Sequence, residues 1–200
     1  MASGETPYLI LASASPRRRD LLATLYVTPG EISPADIDET ALSGELPRPY
    51  GQRVARQKAQ KIYTNRQESD QAPAIILAAD TVVGVGRRIL PKTETEDEAR
   101  MCLELMSGRA HRVFTAVAII DAEGTLREKC VETRLKVKRL SEDEIKFYLQ
   151  SGEWNGKAGG YGIQGYAGAF ITHLSGSYSN VVGLPVTETR HLLLASGYKL

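Results

Sequence analysis

The sequence predicts an α/β fold, and three observations carry that reading. Short uninterrupted apolar runs, of the kind covered on both faces of a sheet, stand at residues 8–12 and 74–79. Helix-period segments with their own start signals follow: Thr95 leads into Glu96, Asp97 and Glu98, and Ser141-Glu142-Asp143-Glu144 is a capping-box pattern. Two longer runs, 113–121 and 126–137, meet at Glu123-Gly124 as a hairpin.

The first unit reads as strand, tight loop, helix. Residues 8–12 make the strand, Ser15 is a candidate cap, and Pro16 suits the first helical position, where no backbone N–H is needed; this predicts a helix over 16–25. Arg17, Arg18 and Arg19 then occupy its first turn, at the positive end of the helix dipole, where acids are expected. Arg18 falls on the centre line of the stripe set by Leu21, Leu22 and Leu25, so it points toward a cleft. A polyanion there would satisfy the free N–H groups and the guanidinium forks together, and phosphate is the first guess. Three solvated surface arginines are the alternative.

A connection rich in Pro and acids follows, with Pro34, Asp36, Asp38, Glu39, Glu45, Pro47 and Pro49, and reads as an ordered loop. A second helix is expected over 50–63, with Val54, Ala55, Ala59 and Ile62 inward and 65–71 as a surface connection. Lys58 lies near its inward stripe, as a snorkelling stem or a cleft-facing ammonium. The run 74–79 ends in Asp80-Thr81 and resumes as Val82-Val83-Gly84-Val85. A buried Asp and Thr are costly unless paired, bound to a metal or facing a cavity; an Asp fixing a local turn is the plainer option.

Gly86-Arg87-Arg88 turns the chain into Ile89-Leu90, and Pro91-Lys92-Thr93 leads to a helix from Thr95 to Met106 that closes at Ser107-Gly108. After the hairpin, the Ser141 helix ends near Ser151-Gly152. A glycine-dense stretch over 152–165 then carries Lys157 and Gln164. It is no Walker A loop, because Ala158 stands where the metal-binding hydroxyl belongs, yet its glycines permit close backbone approach to a ligand, or an irregular turn. A strand over 170–174 and a last helix over 185–195 complete a single domain, 1–200, with no repeat or linker.

Bulk properties narrow the chemistry. Lys and Arg total 25 against 24 Asp and Glu, so the net charge of +1 argues against a nucleic-acid or membrane-surface binder, and any anion site is local. Cys102 and Cys130 form no C-x-x-C, Met1-Ala2-Ser3-Gly4-Glu5 lacks a signal-peptide layout, and no apolar run approaches the ~20 residues of a membrane span. A cytoplasmic protein is expected. His111, His173 and His191 lack metal-ligand spacing and read as structural; Gly-x-Ser-x-Gly is absent. There remain the cations Arg17, Arg18, Lys58, Lys92 and Lys157, and Asp80 with Asp36, Asp38 or Glu39. That set suits metal-assisted attack of water on phosphorus, with cations offsetting charge and a carboxylate orienting or deprotonating the water.

Four ordered motifs, Ser13-Ala14-Ser15-Pro16-Arg17-Arg18, Ala79-Asp80-Thr81-Val82-Val83, Lys157-Ala158-Gly159-Gly160-Tyr161-Gly162-Ile163-Gln164-Gly165 and Val182-Gly183-Leu184-Pro185, resemble the Maf family. These are nucleoside triphosphate pyrophosphatases, also called septum formation inhibitors. The resemblance spans nearly the whole chain. It implies an inosine-triphosphatase-like (Maf/Ham1) fold: a mixed twisted sheet flanked by helices, with a nucleotide cleft between two lobes. It also implies hydrolysis of a nucleoside triphosphate to monophosphate and pyrophosphate with a divalent metal (magnesium, manganese or cobalt), as a homodimer. By the same resemblance Asp80 is the general base and, with Glu39, a metal ligand. Arg17 and Arg18, with Ser13 beside them, hold the triphosphate; Glu39, Lys58, Lys92 and Lys157 line the cleft, and Gln164 lies at the base. Lys58 is thereby moved from stem to cleft. Arg17, Thr81 and Gln164 match the branch acting on dTTP and UTP rather than the one acting on 7-methyl-GTP. A non-catalytic nucleotide-binding regulator of cell division is the reading from another class.

Three positions depart from the family pattern. The usual G-K-P is Pro91-Lys92-Thr93, the Asp before K-A-G is Gly156, and the E-K-A is Gln57-Lys58-Ala59.

Overall fold

The computed structural model describes residues 7–200; the segment Met1 to Glu5, where a signal layout was sought, lies outside them. Its centre is a mixed seven-stranded sheet in the order β2-β1-β3-β5-β6-β7, with β4 also paired to β3. β1 (Leu9–Leu11) runs parallel to both β2 (Glu31–Ile32) and β3 (Ile75–Val85). β4 (Arg88–Leu90), β5 (Ala110–Ile120), β6 (Leu126–Val137) and β7 (Ile171–Ser175) add antiparallel. Helices between β1 and β2 and between β2 and β3 supply the crossovers that parallel neighbours need, while short turns join the antiparallel pairs β3–β4 and β5–β6.

Pleating sends alternate residues of β3 to opposite faces. Ile76 and Ala78 pack with Ala55, Ala59 and Ile62 of α2 (Pro47–Glu68). Ile75, Leu77 and Ala79 pack with Leu22 of α1 (Pro16–Ala23) and Leu193 of a C-terminal helix (Val186–Ala195). Farther along, Val83 joins Cys102, Leu103 and Met106 of α3 (Glu96–Met106) and Ile145, Tyr148 and Leu149 of α4 (Glu142–Gln150), the core of the second lobe. α3 and α4 both open on complete capping boxes.

Four expectations need correction, and the plainer option for Asp80-Thr81 drops out. α2 is longer at both ends: Pro47 and Pro49 sit in the first turn, where a missing N–H costs nothing, and the polar stretch to Glu68 stays helical although it has no apolar stripe. α1 stops at Ala23, with Thr24 as its C-cap. Ser15 does not cap α1 with its side chain; Ser13 Oγ instead accepts the Ser15 N–H at 3.3 Å. The Asp80-Thr81 pair makes no turn, because β3 runs straight through it. β2, which the sequence reading left inside a loop, is two residues long and gives no periodic signal.

Candidate active site

β3 is paired with β1 only over Ile75 to Leu77, and with β4 only over Val83 to Val85. Between these ladders that edge of β3 has no strand partner among the described residues, and Asp80 and Thr81 stand in the gap. A cleft of about 460 Å³ opens there, within the usual range for small-molecule sites. All ten residues named from the sequence line it: Ser13, Arg17, Arg18, Glu39, Lys58, Asp80, Thr81, Lys92, Lys157 and Gln164. Of the other acids considered, neither Asp36 nor Asp38 does; Asp38 instead accepts the Thr40 N–H at 2.8 Å. Arg19 is exposed outside the cleft.

Asp80 faces α2. Its carboxylate is buried, at 2% exposure, and Oδ1 accepts from Lys58 Nζ at 2.8 Å. Lys58 is buried too, and its ammonium also meets Glu39 Oε1 at 2.8 Å, while Glu39 Oε2 takes Lys92 Nζ at 2.5 Å. The result is a chain of alternating charge, Asp80, Lys58, Glu39, Lys92. Burial works to raise the pKa of Glu39, but the bonds from Lys58 and Lys92 outweigh it and hold the carboxyl below its ordinary value.

Thr81 faces the other way. Its Oγ1 lies 3.3 Å from Arg18 Nη2 and 3.0 Å from Thr115 Oγ1, its partner across the β3–β5 ladder. Arg18 also donates from Nη1 to Ser13 Oγ at 2.8 Å and from Nε to the Gly183 carbonyl at 3.0 Å. The guanidinium is thus fixed on three sides at the N-terminal turn of α1. Burial lowers its pKa, Asp80 opposing and Arg17 reinforcing the effect.

The glycine-rich segment closes the third wall. Gly159 and Gly160 have φ of +66° and +67°, and a Cβ at Gly159 would lie 3.0 Å from Val83, so side chains are excluded by both conformation and space. Two of the three departures from the family pattern lie here. Thr93 is fully buried; its N–H donates to the Lys157 carbonyl at 3.2 Å and its hydroxyl to the Trp154 carbonyl at 2.8 Å. A proline could make neither bond. Gly156 returns its N–H to the Thr93 carbonyl at 2.8 Å, with φ +66° and open space around it. Lys157 lines the cleft but turns its ammonium onto the Glu153 carbonyl. Burial, then Arg17, lowers its pKa. Gln164 is exposed and hydrogen-bonds to no described residue.

Sequence reasoning missed Tyr161 in the cleft wall, and Thr115, Thr93 and His111, each bonded to a residue of that wall. His111 is buried and its Nε2 lies 2.6 Å from the hydroxyl of Tyr161, which lines the cleft. Burial pushes its pKa down to about 4, so it is neutral at pH 7. A hydroxyl directly across from Thr81 was the available signal for Thr115, but it requires the strand register.

The family described as Maf-like protein matches residues 8–196. The chain belongs to this family. Among Maf-like relatives, a dTTP/UTP pyrophosphatase of Chelativorans sp. (strain BNC1) is 55% identical over 96% of this chain and 92% of its own. One from Brucella abortus (strain 2308), of the same name, is 56% identical over 95% and 92%. In fold, this Maf-like chain is similar to a HAM1 protein from Coxiella burnetii, with TM-score 0.50 and 15% identity over 94% of this chain and 99% of that one. The mixed sheet, its flanking helices and the cleft between lobes agree with the expected inosine-triphosphatase-like architecture.

Proposed function

We propose that this Maf-like protein is a nucleoside triphosphate pyrophosphatase acting on dTTP and UTP, releasing the monophosphate and pyrophosphate. The observation that carries the reading is the placing of one buried carboxylate, Asp80, in a cleft whose other charged groups are mostly cations: Arg17, Arg18, Lys58, Lys92 and Lys157. Relatives 52–56% identical that bear the name dTTP/UTP pyrophosphatase support the choice of nucleotide.

In the proposed reaction Arg18, fixed at the start of α1, and Arg17 beside it receive phosphate oxygens, and the Arg17 N–H of the first helical turn is free to join them. Asp80 keeps one oxygen on Lys58. No described donor reaches Oδ2, which is left to orient a water and take its proton as the water oxygen attacks the α-phosphorus. The bond from that phosphorus to the bridging oxygen breaks, and the leaving pyrophosphate carries its charge toward the lysines.

A hard divalent cation fits the donor set in part. Asp80 and Glu39 offer carboxylate oxygens, and no group of three or more His, Cys, Asp or Glu that could hold a metal occurs among the described residues, so phosphate oxygens and waters would complete the coordination. Bound there, magnesium, manganese or cobalt would supply neutralisation of the triphosphate. We further propose a homodimer working in the cytoplasm; no described helix is long and apolar enough to cross a membrane.

The test is to incubate pure protein with dTTP, UTP, CTP, GTP and 7-methyl-GTP plus magnesium or manganese, resolving phosphate from pyrophosphate. Pyrophosphate release led by dTTP and UTP is expected. Release of single phosphate, or no turnover, overturns the reading.

A further inference from the structure

Thr115 is fully buried and does not line the cleft, yet its hydroxyl decides which way Thr81 can use its own. Thr115 Oγ1 lies 2.8 Å from the carbonyl of Asn180, which can only accept, so the single Thr115 hydroxyl proton is committed there. Thr81, 3.0 Å away, must then donate into Thr115 Oγ1. Its proton is spent, and only lone pairs remain to face Arg18 Nη2. The chain is one-directional: Arg18 to Thr81 to Thr115 to the Asn180 carbonyl. Each donor polarises the next, and low dielectric strengthens the run.

Its far end is anchored independently. The Asn180 side chain donates to the Val113 carbonyl at 3.1 Å and to Thr133 Oγ1 at 3.0 Å, and the Asn180 N–H bonds Ser177 Oγ at 3.2 Å, so the accepting carbonyl cannot drift. At the near end, three of the five guanidinium N–H groups of Arg18 are taken by Ser13, Thr81 and Gly183, leaving two for a ligand.

We propose that Thr115 is a positioning residue for anion binding, fixing Thr81 as an acceptor and thereby setting the two free N–H groups of Arg18 toward the triphosphate. The proposal rests on the reading of the cleft as a triphosphate site. It also assigns Thr81 a role in this chain: its hydroxyl is not available as a donor to the nucleotide and acts through Arg18.

The test is calorimetric titration of inorganic tripolyphosphate, the anion without a base, into wild type, Thr115→Ser, Thr115→Val, Thr81→Val and the double Val variant. Thr115→Ser, which keeps the hydroxyl, binds within about twofold of wild type, and Thr115→Val binds roughly fivefold to tenfold more weakly. In the Thr81→Val background the second substitution adds nothing, because its only route is already cut. Thr115→Cys, of similar size but a weak donor, behaves like Thr115→Val and serves should the valine variant not fold. Wild-type affinity in both Thr115→Val and Thr115→Cys overturns the positioning role alone, as do effects that add in the double variant or a failed rescue by Ser. No binding by wild type overturns the triphosphate reading itself and this proposal with it.

Discussion

The two faces of β3 at the cleft solve one problem, holding a cationic group beside a phosphate, by opposite means. On the α2 face the groups are ionised and each carboxylate answers a lysine: Asp80, Lys58, Glu39, Lys92. On the α1 face a single guanidinium is met by neutral acceptors, the hydroxyls of Ser13 and Thr81 and the Gly183 carbonyl. Ion pairs tolerate a change of partner, since charge attracts at any orientation; hydroxyl chains do not, since each proton has one direction. The charged face is therefore the one suited to exchange partners as substrate or metal arrives, and the neutral face the one suited to stay still.

The largest expected effect breaks the charged face at its reactive end. Asp80→Asn keeps the shape and an acceptor for Lys58 but cannot take a proton, and kcat falls by roughly a thousandfold. Nucleotide binding, read by calorimetry, stays within a few-fold, since the Arg18 face is untouched. Near-normal turnover would remove Asp80 as the base.

Next is Lys58→Met, which keeps the stem and deletes the charge between two carboxylates. With Asp80 buried and Lys58 exposed by only 8% of its side chain, losing the shared partner costs about 3 kcal/mol in urea unfolding. Adding Asp80→Asn to that variant recovers part of the loss, because an amide is cheaper to bury alone than a carboxylate. If the single variant is as stable as wild type, the pairing contributes nothing.

How much of this contrast the sequence carried depends on which face is asked about. Charge was legible: Arg18 at the wrong end of a helix, Lys58 on an apolar stripe and Asp80 inside a buried run each violate a local rule, and each lines the cleft. The hydroxyl side was legible only in part: Ser13 and Thr81 were named, but Thr115 is an ordinary strand residue 34 positions from Thr81, and only the antiparallel register makes the two neighbours. The fold shows the same division: α3 and α4 announced themselves by their caps, whereas α2 ran past both expected ends, since an all-polar final turn has no periodicity to read. Thr93 stands where the family has proline, and what it gains there, two hydrogen bonds that a proline cannot make, shows only in the folded chain.

The neutral face has a test of its own, by forcing charge onto it. His111 lies on β5 two residues before Val113, on the Thr115 side of the strand, and burial pushes its pKa down to about 4. A depressed value means the folded state binds fewer protons than the unfolded one. Its stability is therefore complete above about pH 6.5 and is lost as pH falls toward 4, by on the order of 3 kcal/mol. Urea unfolding of wild type at pH 7 and pH 5 shows most of this change in a window above the carboxylates, while His111→Gln flattens it. An unchanged slope in the variant would mean that the imidazole ionises elsewhere in the range.

The smallest effect separates two lysines on one carboxylate. Glu39 bonds Lys58, exposed by 8%, at 2.8 Å and Lys92, exposed by 49%, at 2.5 Å. The shorter contact is the weaker one, because water screens it and a free lysine chain loses entropy to make it. Lys92→Ala should cost less than about 1 kcal/mol in unfolding, and nothing measurable in half-molar salt. Its affinity for tripolyphosphate at low salt nevertheless drops several-fold, since the lost charge lines the cleft. A stability loss as large as that of Lys58→Met would show that the outer pair bears structural load, and that the charged face is less free to change partners than its geometry implies.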